Sequence, residues 1–400
     1  MNKTSVKLGE HSFVTKLAGF EHSKYFQYNA THRVSDIPLI QGKNIRNGKV
    51  SDSFDWYISK QISNALPRSV LNKRCIVIPY VGSKLGELAI FDKKFTCHLA
   101  SNVAKVELID DLIDLDFLYY YLRSSYGQSQ LFIDKQGSAQ PNITMEAIRN
   151  TKVIVFNKDY QQKIASVLST IDSKIEINNK INAELESMAK TLYYYWFVQF
   201  DFPDENGKPY KSSGGKMMRS EESKRVIPEG WEVKKISELL PVLTGKQDAN
   251  FANKNGEYNF FTCGEEILKC DSFEFEGKSI LIAGNGNFNI KLYEGKFNAY
   301  QRTYVLMPKN EKYYTLIYMA VRDRIDSFTK GSRGSIVKFI TKGDIEDIQI
   351  PLPKDESLDL FSSLNTITQK IEKNLEENQK LTQIRDWLLP MLMNGQVVVN

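Results

Sequence analysis

Short polar turns in both halves of the chain carry the side chains that proteins use to contact DNA. Arg, Lys, Asn and Gln hydrogen-bond to base edges, while basic and hydroxyl groups bind phosphates. The candidate contacts in the first half are Gln41, Lys43, Asn44, Arg46, Lys84, Gln136 and Gln140. Those in the second half are Lys246, Gln247, Asn285, Asn287, Gln301, Arg302 and Arg333. Each residue alone is better explained as part of a solvated loop, so the prediction depends on the two sets together.

The charge distribution favours a polyanion held by these regions. The 400-residue chain has a formal net charge of +5. Residues 156–200 are neutral and residues 355–400 carry −3, so the rest of the chain carries +8. A basic excess outside these two segments is the distribution expected of globular regions that bind nucleic acid.

Sequence motifs for catalysis by the chain itself are weak. Gly284-Asn285-Gly286 has a Gly-x-Gly pattern, but no helix pattern follows it, so a polar turn explains it better than a cofactor loop. The four histidines form no ligand cluster, and the four cysteines show no metal spacing or disulfide framework. We therefore predict no catalytic residue, no metal site and no cofactor in this chain. A self-sufficient DNA methylase or nuclease with divergent motifs, and a coiled-coil scaffold, are the alternatives.

Two long helices are expected to position the polar turns. Residues 160–197 contain no Pro or Gly, and their apolar residues recur at alternating steps of four and three, which is typical of a coiled-coil seam. Residues 360–388 repeat the pattern 196 positions later. The matched apolar pairs are Leu168 with Leu364, Ile171 with Ile367, Leu185 with Leu381, and Leu192 with Leu388.

Asparagines occupy matching seam positions in the two helices. Asn178 and Asn182 in the first helix correspond to Asn374 and Asn378 in the second. A buried Asn lowers stability unless it meets a polar partner, so these residues are expected to fix the register of a helix pair. Two helices with matching seams in one chain most simply pack on each other.

The regions before the two helices share one plan. Strand patterns at 37–45 and 74–80 correspond to patterns at 257–264 and 278–284, and a helix pattern follows in each region. The sequence therefore predicts a diverged internal repeat. The predicted segments are a mixed α/β domain (1–155), a long helix (156–200), a linker (201–224), a second mixed α/β domain (225–353) and a second long helix (354–400).

The chain resembles the DNA-specificity subunit of Type I restriction–modification enzymes over its whole length. The segments that carry the resemblance are Trp196–Pro203, Gly207–Gly215, Ile227–Trp231 and Ile384–Gln396. The resemblance implies an α+β fold with two repeated target-recognition domains, separated by two long antiparallel coiled-coil helices. Each domain would read one half of a bipartite site in double-stranded DNA, and the helix length would set the spacing between the halves.

The resemblance also implies partners that perform the chemistry. The helices would dock two modification (methyltransferase) subunits, and restriction (motor-nuclease) subunits would join that core. The chain would direct adenine methylation or restriction, with S-adenosylmethionine, ATP and Mg²⁺ used by the partner subunits. The N-terminal sequence lacks a signal-peptide pattern and no apolar run near the central helix is long enough to span a bilayer, so a cytoplasmic protein without membrane contact is expected.

Overall fold

The chain divides into two compact units. The computed structural model describes residues 3–26, 36–133, 141–221, 223–331, 339–354 and 360–399. The first unit comprises residues 1–175 and 379–400, and the second comprises residues 176–378. Each long helix therefore contributes one part to each unit.

The first unit combines a six-stranded sheet with smaller sheets and short helices. Its strands are β1 (Thr4–Lys7), β2 (Ser12–Lys16), β3 (Ile37–Ile40), β4 (Ile45–Arg46), β5 (Lys49–Val50), β6 (Tyr57–Ile58), β7 (Val70–Leu71), β8 (Cys75–Pro79), β9 (Ala89–Phe91), β10 (Cys97–Leu99), β11 (Val103–Leu108) and β12 (Lys152–Val155). Its helices are α1 (Gly19–Glu21), α2 (Lys60–Ala65), α3 (Leu115–Arg123), α4 (Ser125–Leu131), α5 (Met145–Asn150), the first part of α6 (Lys158–Tyr193) and the second part of α10 (Leu360–Met393). The six-stranded sheet has the order β2-β11-β8-β9-β5-β4.

The helix pattern of the first region spans residues 112–130 and predicts one helix after β11, but the structure has two helices there, so that prediction was wrong. α3 ends at Arg123, and Ser124 has an extended backbone with ψ of 158°. The Ser124 hydroxyl accepts a hydrogen bond from the backbone nitrogen of Gly127 at 3.1 Å, which caps α4. A Cβ atom on Gly127 would lie 2.2 Å from the carbonyl oxygen of Tyr121, so the tight turn between the helices requires glycine.

The second unit repeats the plan of the first. Its strands are β13 (Met217–Arg219), β14 (Val226–Pro228), β15 (Trp231–Lys235), β16 (Val242–Thr244), β17 (Tyr258–Phe261), β18 (Leu268–Cys270), β19 (Phe275–Ala283), β20 (Ile290–Ala299), β21 (Thr303–Leu306) and β22 (Gln349–Pro353). Its helices are α7 (Ile236–Leu239), α8 (Tyr314–Gly331), α9 (Lys342–Glu346), the second part of α6 and the first part of α10. The six-stranded sheet has the order β16-β21-β19-β20-β17-β18, in which β16, β21, β19 and β20 correspond to β2, β11, β8 and β9.

Residues 201–224, predicted as a linker, contain a segment that packs within the second unit. The Phe202 ring stacks between Trp231, at a centroid distance of 5.0 Å, and Tyr210, at 4.7 Å. Strand β13 pairs antiparallel with β14. Burial of these aromatic rings, rather than the Gly- and Ser-rich composition, determines the structure here.

Asparagine pairs join the two long helices within the second unit. Asn178 Nδ2 donates to Asn378 Oδ1 at 2.9 Å, and Asn374 Nδ2 donates to Asn182 Oδ1 at 2.7 Å. The four side chains are buried. Rising residue numbers in α6 meet falling numbers in α10, so these helix segments are antiparallel.

The two asparagine pairs differ in how completely their amides are hydrogen-bonded. Asn178 Nδ2 also donates to Glu377 Oε2 at 2.8 Å, and Asn378 Nδ2 donates to Asn179 Oδ1 at 2.9 Å. By contrast, the buried Asn182 Nδ2 meets no acceptor among the residues that the structure describes. The pair of Asn182 and Asn374 is therefore the less favourable of the two.

An ionic cluster joins the same helices to α3 in the first unit. Asp172 of α6 accepts hydrogen bonds from Arg385 of α10 at 2.7 Å and from Tyr120 of α3 at 2.9 Å. Arg123, in the last turn of α3, donates to the same carboxylate at 3.1 Å. One acidic side chain therefore links three helices.

The incompletely bonded pair generates a stability prediction. N374L alone should lower the free energy of unfolding by about 1–3 kcal/mol, because it leaves the Asn182 amide buried without a partner. The double variant N182L/N374L removes both amides and should recover most of this loss, with the pair of Asn178 and Asn378 still holding the register.

Urea unfolding of the three proteins measures the difference. E184L is the matched control, because it places one leucine at an exposed position of α6. A double variant less stable than N374L would contradict this account of the pair.

Candidate nucleic-acid interface

Three turns meet in the first unit and bring predicted contact residues together. The turns follow β3, connect β8 to β9, and precede β11. Asn102 joins them, since its carbonyl oxygen accepts from the Tyr80 backbone nitrogen at 3.2 Å and its side-chain oxygen accepts from the Gly42 nitrogen at 3.4 Å. The turns enclose a cleft of about 280 Å³ lined by Gln41, Gly42, Lys43, Val81, Gly82, Ser83, Lys84 and Asn102.

The second unit brings the equivalent three turns together. The Gly284 nitrogen donates to the carbonyl oxygen of Arg302 at 2.9 Å, as Tyr80 donates to Asn102 in the first unit. The Cys263 thiol, in the turn after β17, also donates to this oxygen at 3.4 Å. Arg302 therefore stands where Asn102 stands in the first unit, and it is exposed.

A fourth segment joins each set of turns. The Ile143 nitrogen donates to the carbonyl oxygen of Tyr80 at 2.9 Å, and the Ile340 nitrogen donates to that of Gly284 at 2.8 Å. The predicted contacts just before these two isoleucines are Gln136, Gln140 and Arg333, and they lie outside the described residues.

The predicted residues of the first domain are placed in two different ways. Gln41, Lys43 and Lys84 line the cleft. Asn44 is only 5% exposed, accepts from the Gln41 backbone nitrogen at 2.8 Å and donates to the Ser53 carbonyl oxygen at 2.9 Å. Its side chain therefore closes the turn and is not presented at the surface. Arg46 is exposed in β4, which pairs with β5.

The predicted residues of the second domain come from three places. Lys246 and Gln247 follow β16, which corresponds to β2, and Gln247 forms a parallel bridge with Tyr300. Asn285 and Asn287 lie in the turn between β19 and β20. Gln301 and Arg302 are exposed in the turn before β21.

A polar network in the second domain includes residues that sequence reasoning missed. Asn287 Nδ2 donates to Glu265 Oε1 at 3.0 Å, and Asn289 Nδ2 donates to Asn287 Oδ1 at 2.8 Å. Lys291 Nζ donates to Asn289 Oδ1 at 2.7 Å. Burial lowers the pKa of Lys291, and the nearby Cys263 and Glu265 oppose that shift. Asn287 and Asn289 lie in the turn before β20, and Glu265 lies between β17 and β18, so no sequence periodicity signalled this network.

Carboxylates of the same domain hold five of the predicted contact groups. The pairs are Lys43 with Asp55, Lys84 with Glu87, Lys246 with Glu274, Asn287 with Glu265, and Gln301 with Asp248. These groups must exchange a carboxylate for a phosphate or a base if they contact DNA. The pairs are exposed or half-buried, so each exchange has a small free-energy cost.

The part of the chain that the structure describes contains neither a metal-binding cluster nor a membrane-spanning helix. No group of three or more His, Cys, Asp or Glu residues there is arranged to hold a metal ion. Within the same ranges, the helices are too short or too polar to cross a lipid bilayer.

Family comparison agrees with the repeated architecture. A model of the Type I restriction modification DNA specificity domain matches residues 12–187 and again residues 228–383. The chain belongs to this specificity family. The two matches coincide with the two copies of the three-turn arrangement, each with the long helix that follows it.

Individual members of the specificity family match at different lengths. The EcoDI specificity subunit of Escherichia coli is 39% identical over 179 residues, which is 43% of this chain and 39% of that protein. The MjaIX specificity subunit of Methanocaldococcus jannaschii is 27% identical over 396 residues, covering 91% of this chain and 87% of that protein. The crystal structure of an S subunit from M. genitalium has the same fold, with 19% identity, a TM-score of 0.56, and coverage of 98% of this chain and 96% of that one.

Close backbone approach at Gly245 generates a second prediction. A Cβ atom there would lie 2.1 Å from the Ala299 carbonyl oxygen. G245A should therefore lower the free energy of unfolding by about 1–3 kcal/mol through overpacking. At Gly264 the nearest atom to an added Cβ is Thr262 Oγ1 at 3.5 Å, so G264A should change it by less than about 0.5 kcal/mol.

Thermal or urea unfolding of both variants tests this difference. Equal stability of G245A and G264A would show that the segment carrying Lys246 can move away from Ala299 without lowering the free energy of unfolding.

Proposed function

We propose that the chain is the non-catalytic DNA-specificity subunit of a Type I restriction–modification complex. Each recognition domain reads one half of a bipartite site in double-stranded DNA. The observation that carries this proposal is the recurrence of one three-turn arrangement with different side chains at equivalent positions. The family match to both copies supports it.

The side chains at equivalent positions favour different half-sites. Asn102 of the first domain presents an amide, whereas Arg302 of the second presents a guanidinium group. An amide pairs in two places with adenine, and a guanidinium group pairs in two places with guanine. Similar backbone geometry with different donors and acceptors therefore suits an asymmetric bipartite site.

The chemistry of the complex belongs to partner subunits in this proposal. Two modification subunits dock on the long helices and methylate adenine with S-adenosylmethionine, and restriction subunits use ATP and Mg²⁺. Large apolar side chains exposed on these helices support docking, since a partner would remove them from water. They include Ile177, Ile181, Leu375, Ile384 and Trp387. The complex acts in the cytoplasm.

The function is tested by mapping methylated bases in cells that supply the modification subunits, with and without this chain. We expect a split, adenine-methylated motif only when the chain is present. A soluble complex that leaves the methylation pattern unchanged would overturn the proposal, and so would methylation by the chain without its partners.

The carboxylate pairs predict a change in binding to non-specific DNA. Replacing Glu274 by Gln frees Lys246 for phosphates, so E274Q should tighten non-specific binding about two- to fivefold at low salt. E232Q is the matched control, because Glu232 also pairs with a lysine, Lys234, and both carboxylates have side chains 36% exposed.

Binding of the assembled complex to duplexes without the target site gives the comparison. An equal gain for E274Q and E232Q would attribute the effect to net charge and would remove Lys246 from the proposed interface.

A further inference from the structure

Gln301 has a backbone fixed by a neighbouring segment. Its nitrogen donates to the Gln247 carbonyl oxygen at 2.9 Å, and the Gln247 nitrogen donates to the Ala299 oxygen at 3.4 Å. The absence of a side chain on Gly245 permits this approach, because a Cβ atom would collide with Ala299. The close approach of the two segments therefore determines where the Gln301 side chain begins.

Asp248 fixes the side chain of Gln301. Gln301 Nε2 donates to Asp248 Oδ1 at 2.9 Å. Asp248 precedes the short 3₁₀ helix Ala249–Phe251, yet its carboxylate makes no capping bond to that helix. Asp is a preferred N-cap residue, so its use for Gln301 forgoes a local stabilisation.

The bond to Asp248 determines which hydrogen-bonding groups of the exposed Gln301 amide remain available. A carboxylate only accepts hydrogen bonds, so the amide nitrogen must face it and one N–H is occupied. The remaining groups are one N–H donor and the carbonyl acceptor. In the major groove adenine presents one acceptor and one donor, whereas guanine presents two acceptors. The constrained amide therefore complements adenine and lacks the second donor that guanine requires.

The first domain has a different residue at this position. Because Arg302 is equivalent to Asn102, Gln301 is equivalent to Ser101. A serine hydroxyl is shorter and makes no two-point contact with adenine. The pairing of Gln301 with Asp248 is therefore a feature of the second domain alone.

We propose that Gln301 reads an adenine in the half-site of the second recognition domain and that Asp248 is its positioning residue. This inference rests on the proposed function and adds the base and the residues to it. Asp248 holds the Gln301 amide in one orientation and occupies one of its two N–H donors. Gln301 therefore cannot offer guanine the two donors that it requires.

The test uses the full chain assembled with its modification subunits. Methylation is measured on a duplex library in which each base pair of both half-sites is varied, with wild type, Q301A, D248A and E232Q. Q301A should lose about ten- to a hundredfold of the preference for adenine at one position of one half-site. D248A should keep methylation of the adenine site and raise methylation of the guanine variant at that position about tenfold.

Two controls distinguish base reading from other effects. The half-site read by the first domain should be unchanged in both variants, which reports intact folding and assembly. E232Q removes a carboxylate remote from Gln301 in the chain and should change no base preference.

Several outcomes would overturn the proposal. A uniform decrease for all sequences with Q301A would make Gln301 a phosphate contact, and loss of all methylation would make it a structural residue. A D248A profile equal to that of E232Q would remove the positioning role. If the wild-type complex methylates no bipartite motif, the proposed function itself is refuted. If the wild-type complex methylates such a motif and Q301A shows the same base preference, this inference alone is refuted.

Discussion

Buried amides that must be hydrogen-bonded are the constraint on which the helix pairing in the second unit depends. Asn178 meets Asn378 and Asn182 meets Asn374, and this is the register in which all four buried amides face an amide partner. Asn178 and Asn374 are 196 residues apart, and so are Asn182 and Asn378, so the repeat relates one pair to the other. The pairing is therefore symmetric in sequence, and the symmetry fails only in the extra hydrogen bonds that Asn178 and Asn378 make.

Repetition with divergence explains how one fold presents two binding surfaces. Backbone hydrogen bonds place the same turns together in both units, with the carbonyl oxygen of residue 102 or 302 at the centre. The Asn102 side chain and the Cys263 thiol each add one bond, but the backbone bonds require no particular side chain, so other side chains on the turns can change without altering the fold. The first domain has used this freedom for a cleft with two lysines, and the second for a network of amides and an exposed arginine.

Carboxylates near the predicted contacts do more than neutralise charge. Glu274 holds a lysine, whereas Asp248 and Glu265 hold amides. An ion pair between exposed groups contributes little to stability, but a carboxylate beside an amide determines which way that amide faces. The acidic residues therefore affect what each turn can recognise as well as how tightly it binds.

Sequence periodicity determined the two long helices, their matching seams and the repeat, because these features depend on local spacing along the chain. It also placed the polar turns, since strands and turns alternate visibly. Tertiary structure alone decided that Asn44 is buried, that Ser124 divides a predicted helix, and that Asp248 meets Gln301 from 53 residues away. The physical reason is that burial and hydrogen-bond partners depend on which distant segments approach one another. The glycine at position 245 permits one such approach. The spacing of residues along the chain does not contain this information.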